Sequence, residues 1–277
     1  MTRLKARFRC YSIAASTAIR ERLTYAGNFH GAMLTYGLFV FIFSRVWAGA
    51  YARQSTIAGY TMAMAVWYFI IAEVPSFGMG RFFISLSQDL KSGQVAYQLS
   101  RPYDFVYYHY AERFGGSLAD AGVIMVEGLV IGVLLLGGVP ALDPAQGSGL
   151  AAEAGRAALL VLSLLLAGSL GFFLQFSLAM TAFWLEENEA FFWIYQKLML
   201  VIGTLIPIEF LPAPVAAIAI WTPFPYLSYA PARIFVAFSW AEAGSLITRQ
   251  LIWWAIAATL AKAVFARGSR RIAMNGG

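Results

Sequence analysis

The sequence predicts an all-α integral membrane protein with six transmembrane helices and both termini in the cytosol. Three observations predict this fold class. The chain of 277 residues is 60% hydrophobic and 12% charged, with a mean hydropathy of +0.66, which is not typical of a soluble domain. Six apolar segments each approach the roughly 20 residues that a helix needs to cross a hydrocarbon core of about 30 Å. The cations lie mostly on one side of these segments.

The six predicted spans cover residues 25–47, 57–80, 113–139, 157–185, 191–211 and 246–265. With a cytosolic N-terminus, 14 of the 20 Lys and Arg residues fall on the cytosolic side. They are Arg3, Lys5, Arg7, Arg9, Arg20, Arg22, Arg81, Lys91, Arg101, Arg113, Lys262, Arg267, Arg270 and Arg271. Such an excess of cytosolic cations is what the positive-inside rule requires of this topology.

Residues 1–22 are predicted to form a helix that lies in the cytosolic membrane interface. Small and apolar residues recur there at steps of three and four, and cations surround them. The apolar positions are Leu4, Phe8, Tyr11, Ala15 and Ala18. We expect this side to face the acyl chains and the cations to face the lipid headgroups. A disordered basic tail is the alternative.

The connection at residues 81–110 is the longest cytosolic segment between spans. Its first part has a helical pattern, with Leu86 and Leu90 on one side and polar residues on the other. Gly93 suits the end of this helix, and Pro102 stops the segment that follows. An amphipathic cytosolic helix is a candidate docking surface for a soluble partner. An interfacial helix without a partner is the alternative.

Residues 207–240 are predicted to form a broken segment on the external side. Six prolines interrupt it, namely Pro207, Pro212, Pro214, Pro223, Pro225 and Pro231. The apolar pieces between them are too short to cross a membrane. Since broken backbone is tolerated at membrane depth only inside protein or beside a wet cavity, we expect one or two short re-entrant helices. A seventh, kinked span is the rival, but it would place the C-terminal cations outside.

The chain shows no pattern of a catalytic or cofactor site. No lysine completes a Gly-Lys-Ser/Thr phosphate-binding loop. His30, His109 and the single cysteine, Cys10, lie in different segments, and they cannot form a common zinc site or an internal disulfide. Neither histidine has a nucleophile partner by spacing. We therefore expect a protein that is not an enzyme and holds no cofactor.

Four carboxylates fall within or beside the predicted spans, where a charge costs roughly 2.5–3.5 kcal/mol on insertion scales. Asp120 and Glu127 are seven residues apart and share one helix face. Glu73 lies two residues before Pro75, and Glu209 lies in the broken segment. These groups either line a substrate path or a polar seam between subunits, or they pair with Arg45, Arg113 or hydroxyls and tie helices together. Both roles stay open for Glu127 and Glu209, and we favour pairing for the other two.

Two stretches carry a resemblance to a known family. The first is Asp89-x-Lys91-Ser92-Gly93 running into Leu99-x-Arg101-Pro102. The second is Gly203-x-x-Ile206-Pro207 with Phe210-Leu211-Pro212, followed by Trp221-x-Pro223-Phe224-Pro225 and Pro231. In this order, and with six spans, the chain resembles the permease subunits of type-2 ATP-binding-cassette exporters. The bacterial branch concerned is classed only as uncharacterised permeases.

The resemblance implies a bacterial inner-membrane exporter subunit that pairs with a second permease, identical or related. It also implies docking of separate nucleotide-binding subunits, which would hold the ATP and Mg. Nucleic acid is not an expected partner, because the cations flank apolar spans instead of lining one polar face, which favours lipid headgroups. The segment at about 85–101 resembles the family's coupling element. Its candidate coupling residues are Ser85, Asp89, Lys91, Gly93, Arg101 and Pro102. Substrates in the wider family include drugs, lipids and polysaccharides.

Two functions from other classes stay open beside this one. In the first, the chain is a carrier driven by an ion gradient, with Glu127 and Asp120 as a proton relay. In the second, it is a membrane scaffold that transports nothing. A co-purifying ATPase favours the exporter, and a proton-dependent flux that is lost in Glu127→Gln favours the carrier.

Overall fold

The structure is a computed structural model that describes residues 2–24, 30–80, 82–140, 144–147 and 149–275. The start of the first predicted span, residues 25–29, and the first residue of the predicted coupling segment, Arg81, lie outside the described residues. The chain forms α1 Thr2–Thr24, α2 His30–Ala50, β1 Thr56–Ile57, β2 Tyr60–Thr61, α3 Met62–Met79, α4 Phe82–Lys91, α5 Gln94–Leu99 and α6 Phe105–Leu136. It continues with α7 Leu150–Ala179, α8 Glu189–Met199, α9 Ala213–Ala219, α10 Tyr229–Val236 and α11 Trp240–Asn275.

Helix α3 lies at the centre of the bundle. Every residue from 65 to 74 is buried, because α2, α6, α7 and α10 surround it. A helix that is apolar around its whole circumference belongs in such a position. The β1–β2 hairpin precedes α3, and α4 follows it. Since α3 has 18 residues, its two ends lie about 27 Å apart. We call them the hairpin end and the elbow end.

Helices α2, α3 and α6 approach closely at two glycines of α6. A Cβ at Gly128 or Gly132 would collide with Tyr36 of α2 or Trp67 of α3. The Tyr36 hydroxyl donates to the Ile70 carbonyl (3.0 Å), which ties α2 to α3. Small residues spaced by four are the usual means by which membrane helices come close enough for such contacts.

Helices α7 and α11 are joined by a buried amide. Gln250 donates to the carbonyls of Ser163 (3.1 Å) and Tyr226 (2.9 Å) and accepts from the Ser163 hydroxyl (2.9 Å). Both donors and the acceptor of this amide are therefore satisfied away from water. The arrangement fixes the register of the last long helix against α7.

The N-terminal segment is a helix, as predicted, and it packs along the first half of α6. Ala15 touches Gly115, and the Tyr11 hydroxyl accepts from the Asp104 backbone N–H (3.0 Å). The expectation that the apolar side faces acyl chains is wrong for Tyr11, Ala15 and Ala18, which are half-buried on the α6 side. Phe8 is 75% exposed and does point away from the protein.

Within the described residues, five helices are long and apolar enough to cross a membrane: those that contain α2, α3, α6, α7 and α11. The fifth predicted span, 191–211, is not among them. It consists of α8, which has 11 residues, and a π-helical stretch at Leu200–Thr204. Prolines after this stretch prevent a longer helix. The broken segment contains two short helices, α9 and α10, in agreement with the prediction of short pieces.

The connection between α2 and α3 contains a β-hairpin that the sequence analysis did not predict. Ala58 and Gly59 have positive φ values of 47° and 84°, as a two-residue type I′ turn requires. Thr61 then caps α3, since its hydroxyl accepts from the Met64 backbone N–H (3.3 Å).

Candidate functional site

The predicted coupling segment forms a bent pair of helices, α4 and α5, at the elbow end. Gly93 lies between them with a φ of 78°, a conformation that glycine adopts without strain. Its backbone N–H donates to the Leu90 carbonyl (3.2 Å), which closes the last turn of α4. The helix end predicted at Gly93 is confirmed. We refer to α4, Gly93 and α5 together as the elbow.

Aromatic rings hold the inner side of α4 against the bundle. The Phe82 ring stacks on Phe172 of α7 with centroids 5.0 Å apart, and Phe83 stacks on Phe192 of α8 at 4.8 Å. Leu86 and its neighbour one turn on, Leu90, are buried, as predicted. A force on α4 would therefore reach α7 and α8 through rigid, interlocked rings.

A short polar chain adds to this attachment. The Ser87 hydroxyl donates to Oδ1 of Asn188 (2.8 Å), and the Asn188 amide donates to the Thr181 hydroxyl (3.2 Å). All of Asn188 and nearly all of Ser87 are buried. The sequence analysis missed both residues, although a serine on the apolar side of α4 was a usable signal. Gln175 contributes too, because it accepts from the Phe83 backbone N–H (3.4 Å).

Several predicted coupling residues lie on the outer side of the elbow. Lys91, Arg101 and Pro102 are exposed. Asp89 is half-buried, whereas the pattern had placed it in solvent. Ser85 is also half-buried, and its hydroxyl donates to the carbonyl of residue 82 in its own helix (3.0 Å). Lys91 and Arg101 therefore present positive charge at the surface.

Tyr97 is a further candidate that the sequence analysis missed. Its side chain lies on α5 and is 67% exposed, a large fraction for an aromatic ring. The Arg101 guanidinium donates to the Tyr97 hydroxyl (2.9 Å) and lies 4.8 Å from the ring centroid. A tyrosine paired with an arginine is typical of protein interfaces, where both residue types are enriched. Lys91 and Tyr97 lie on the exposed side of the elbow, and Arg101 lies just after it.

The predicted intramembrane carboxylates do not form one group. Asp120 is 3.6 Å from Nε of Arg22 on α1, a partner that differs from the predicted ones. Glu127 faces α2, where a Cβ at Gly37 would lie 3.4 Å from its Oε1. Glu73 is buried in α3. Among the described residues, no three His, Cys, Asp or Glu side chains are grouped as metal ligands would be.

Glu209 belongs to a polar cluster at the hairpin end. It accepts from the hydroxyls of Tyr229 (2.7 Å) and Tyr60 (3.2 Å) and lies 3.7 Å from Nε of Arg233. Arg233 also donates to both carboxylate oxygens of Glu242 (2.8 and 3.2 Å) and to the Tyr60 hydroxyl (2.8 Å). The cluster thus ties the β-hairpin, the broken segment and α11 together. Pairing is therefore the role that Glu209 has in this conformation.

Burial raises the pKa of Tyr229, and the adjacent Glu209 carboxylate raises it further. For Arg233, burial opposes the charged form, but the hydrogen bonds to Glu242 and the neighbouring tyrosines outweigh it, and the pKa lies above its usual value. Tyr229 therefore stays a neutral hydrogen-bond donor and Arg233 stays a cation. These two groups therefore remain hydrogen-bond donors across the physiological pH range.

The break after α8 is held by α3. In the π-helical stretch the Leu205 backbone N–H reaches the Leu200 carbonyl (2.9 Å), and the Gly203 carbonyl is left for the Tyr68 hydroxyl (2.6 Å). A Cβ at Gly203 would lie 3.3 Å from the Phe224 carbonyl oxygen, so the broken segment packs close to this turn. Such π-helical turns are frequent at functional sites.

Comparison with known protein families gives a match over most of the chain. A family model described as ABC-2 family transporter protein matches residues 33–276. The chain belongs to this family. No curated protein and no solved structure matches it. As a member of the ABC-2 family, the protein is a multi-pass membrane component of a transporter, not itself a catalytic subunit.

In this ABC-2 family protein, the match begins within α2 and ends near the C-terminus of α11. It therefore includes the elbow, the polar cluster and the π-helical break. The N-terminal helix α1 lies before the matched residues. Its contact with α6 is a feature that only the structure reveals.

Proposed function

We propose that the chain is the permease subunit of an ATP-binding-cassette exporter in a bacterial inner membrane. A separate nucleotide-binding subunit, which holds ATP and Mg, would dock on the elbow. A second permease chain, identical or related, would complete the substrate path. The family membership supports the transporter assignment. The observation that carries the proposal is the elbow, a bent helix pair that is fixed on its inner side and polar on its outer side.

The proposed topology follows from the distribution of cations. With the elbow, the N-terminus and the C-terminus in the cytosol, the exposed Lys91 and Arg101 face the compartment that contains ATP. The hairpin end then faces outward, and residues 189–206 would make the sixth crossing, because Asn188 lies beside α4 and Glu209 lies beside the β-hairpin. The broken segment at 207–240 dips into the membrane from that outer side. Three of its prolines, Pro207, Pro225 and Pro231, are buried, and α10 packs against α3, as a lipid environment requires of broken backbone.

The mechanism we infer is rigid-body movement that starts at the elbow. Closure of the ATPase subunits would push Lys91, Tyr97 and Arg101. The stacked Phe82 and Phe83 would pass this movement to α7 and α8, and the chain itself passes it to α3. At the other end of α3, the polar cluster would have to rearrange for the path to open outward. Interfaces that shift as units are the common means of such switching.

The test is co-purification of the nucleotide-binding subunit from the native host in mild detergent. Lys91→Glu and Arg101→Glu reverse the two exposed charges, and we expect each to weaken docking by about tenfold or more. Arg53→Glu is the matched control, because Arg53 is an exposed arginine at the hairpin end. Retention of a stoichiometric ATPase by the control and its loss from both variants is the expected result.

Gly93→Pro tests the bend itself. Proline holds φ near −65°, far from the 78° found here, and it removes the N–H that closes α4. We expect membrane insertion to survive and transport-coupled ATP turnover to fall. Normal turnover in this variant and in Lys91→Glu would contradict the assignment of the elbow. Recovery of the wild-type chain alone, in a detergent that preserves other complexes, would contradict the ATPase-driven function.

A further inference from the structure

An apolar groove runs between α6 and α7, with α3 at its base. It has a volume of about 350 Å³, and its walls include Phe114, Met125, Leu160 and Phe235. Phe114 and Leu129 mark the two ends of its α6 wall, which corresponds to about 22 Å of helix. That is longer than half of a hydrocarbon core of about 30 Å. The groove therefore has room for the acyl chain of a lipid from one leaflet.

A polar cavity adjoins this groove at the elbow end. Its volume is about 480 Å³, and it lies between α1, α6 and the start of α4. Met79 and Ser117 line both spaces. Its charged walls are Arg22, Arg113, Glu21, Glu112 and Asp120. Together the two spaces suit an amphiphilic molecule, with the polar cavity for its headgroup at the membrane surface and the apolar groove for its tail below.

Two buried groups in the polar cavity lack hydrogen-bond partners within the part of the chain that the structure describes. One is Oδ1 of Asp120, a residue that is only 8% exposed. The other is Nε of Arg113, which lies 3.9 Å from Oε2 of Glu112, beyond hydrogen-bond distance, and whose guanidinium lies 5.8 Å from the Phe82 ring centroid. Buried polar groups are almost always paired, so each of these atoms is available to a ligand group in the cavity. The carboxylate requires a donor, and the guanidinium requires an acceptor.

The charges around the cavity restrict what this ligand is. Two arginines and three carboxylates line it, so an anion would meet excess negative charge and a simple cation would meet two guanidiniums. A headgroup with both charges satisfies both sets. A primary ammonium donates hydrogen bonds, as Oδ1 of Asp120 requires, whereas a quaternary ammonium has no N–H to donate.

We propose that this site binds a phospholipid with a phosphoethanolamine headgroup. The phosphate lies at Arg113 and Arg22, the ammonium lies at Asp120, and an acyl chain fills the α6–α7 groove. The lipid comes from the leaflet at the elbow end. This binding goes beyond the proposed ATPase-driven function and does not depend on it.

The test is native mass spectrometry of the full chain, purified and equilibrated in micelles with equal amounts of phosphatidylethanolamine, phosphatidylcholine and phosphatidylglycerol. We expect phosphatidylethanolamine to be retained at least tenfold better than the other two. Arg113→Gln and Asp120→Asn should each lower its retention about tenfold. Arg45→Gln is the control, since Arg45 is an exposed arginine of α2.

A second pair of variants leaves the charges in place. Gly122 lines the groove, and a Cβ there meets no heavy atom within 4 Å, so Gly122→Leu fills the groove without a clash at Cβ. Gly49→Leu, at an equally open position on α2, is its control. We expect only the former to lose the lipid. Equal retention of the three lipids, as an unselective lipid coat would give, or unchanged retention in Gly122→Leu would overturn the proposal.

Discussion

The contact between α1 and α6 leads to a sharp prediction about one glycine. A Cβ at Gly115 would lie 2.7 Å from the carbonyl oxygen and 2.9 Å from Cα of Ala15. Both atoms belong to the α1 backbone, which cannot move aside as a flexible side chain can. Gly115→Ala should therefore displace α1, even though alanine is the mildest possible addition.

The expected size follows from this overlap. Overpacking of a close contact costs roughly 1–3 kcal/mol. Alanine also favours the helical state of α6 by about 1 kcal/mol, but this gain is equal whether α1 is docked or not, so it cancels. Only the overpacking cost therefore acts on the docking of α1, and the equilibrium constant for docking should fall by about 5-fold to 150-fold.

The assay is the labelling rate of Cys10 by a maleimide in detergent. Cys10 is the single cysteine of the chain, and it lies half-buried on α1 beside the space between α1 and α6. Gly115→Ala should raise the rate about fivefold or more. Gly122→Ala is the control on the same helix, because its Cβ has open space. Equal rates in the wild type and Gly115→Ala would refute the close contact.

Two further predictions concern the two ends of the bundle. Ser87→Ala leaves Oδ1 of Asn188 without its donor, at a cost of about 1–3 kcal/mol. The unfolding temperature in detergent should therefore fall. Ser92→Ala, at an exposed position, is the control and should leave the unfolding temperature unchanged. Arg233→Gln removes three charged hydrogen bonds in a partly exposed cluster, a loss of about 2 kcal/mol or more. Hydrogen exchange in the β-hairpin should then accelerate about 30-fold, and Arg249→Gln, with one contact of 3.5 Å, should leave it unchanged. Unaltered exchange in Arg233→Gln would show that the cluster does not hold the hairpin.

Much of the fold was predictable from local pattern. The long apolar segments became the helices that contain α2, α3, α6, α7 and α11, and the prolines of 207–240 limited α9 and α10 to seven and eight residues. The predicted span 191–211 did not become one regular helix. Its apolar composition is typical of a span, but Tyr68 of α3 binds the Gly203 carbonyl that a π-helical turn leaves free. A hydropathy window has no information about such a long-range partner.

The candidate site was predictable only in its local helical pattern. The pattern of the elbow placed its helix end at Gly93 and its buried side at Leu86 and Leu90 correctly. It did not identify Ser87 and Asn188, which are 101 residues apart and meet only in the folded bundle.

The sequence by itself determined that this protein is an α-helical membrane protein, because hydropathy and the placement of cations act through the bilayer and need no tertiary contact. It also determined where the chain bends, since Gly93 permits the positive φ that ends α4 and Pro207 cannot continue a helix. Only the tertiary structure decided which charges pair. Asp120 meets Arg22 and not Arg113, because α1 packs along α6, and Glu209 meets Arg233 and Tyr229 across the hairpin end. These pairings depend on helix packing, which residue spacing within one helix does not encode.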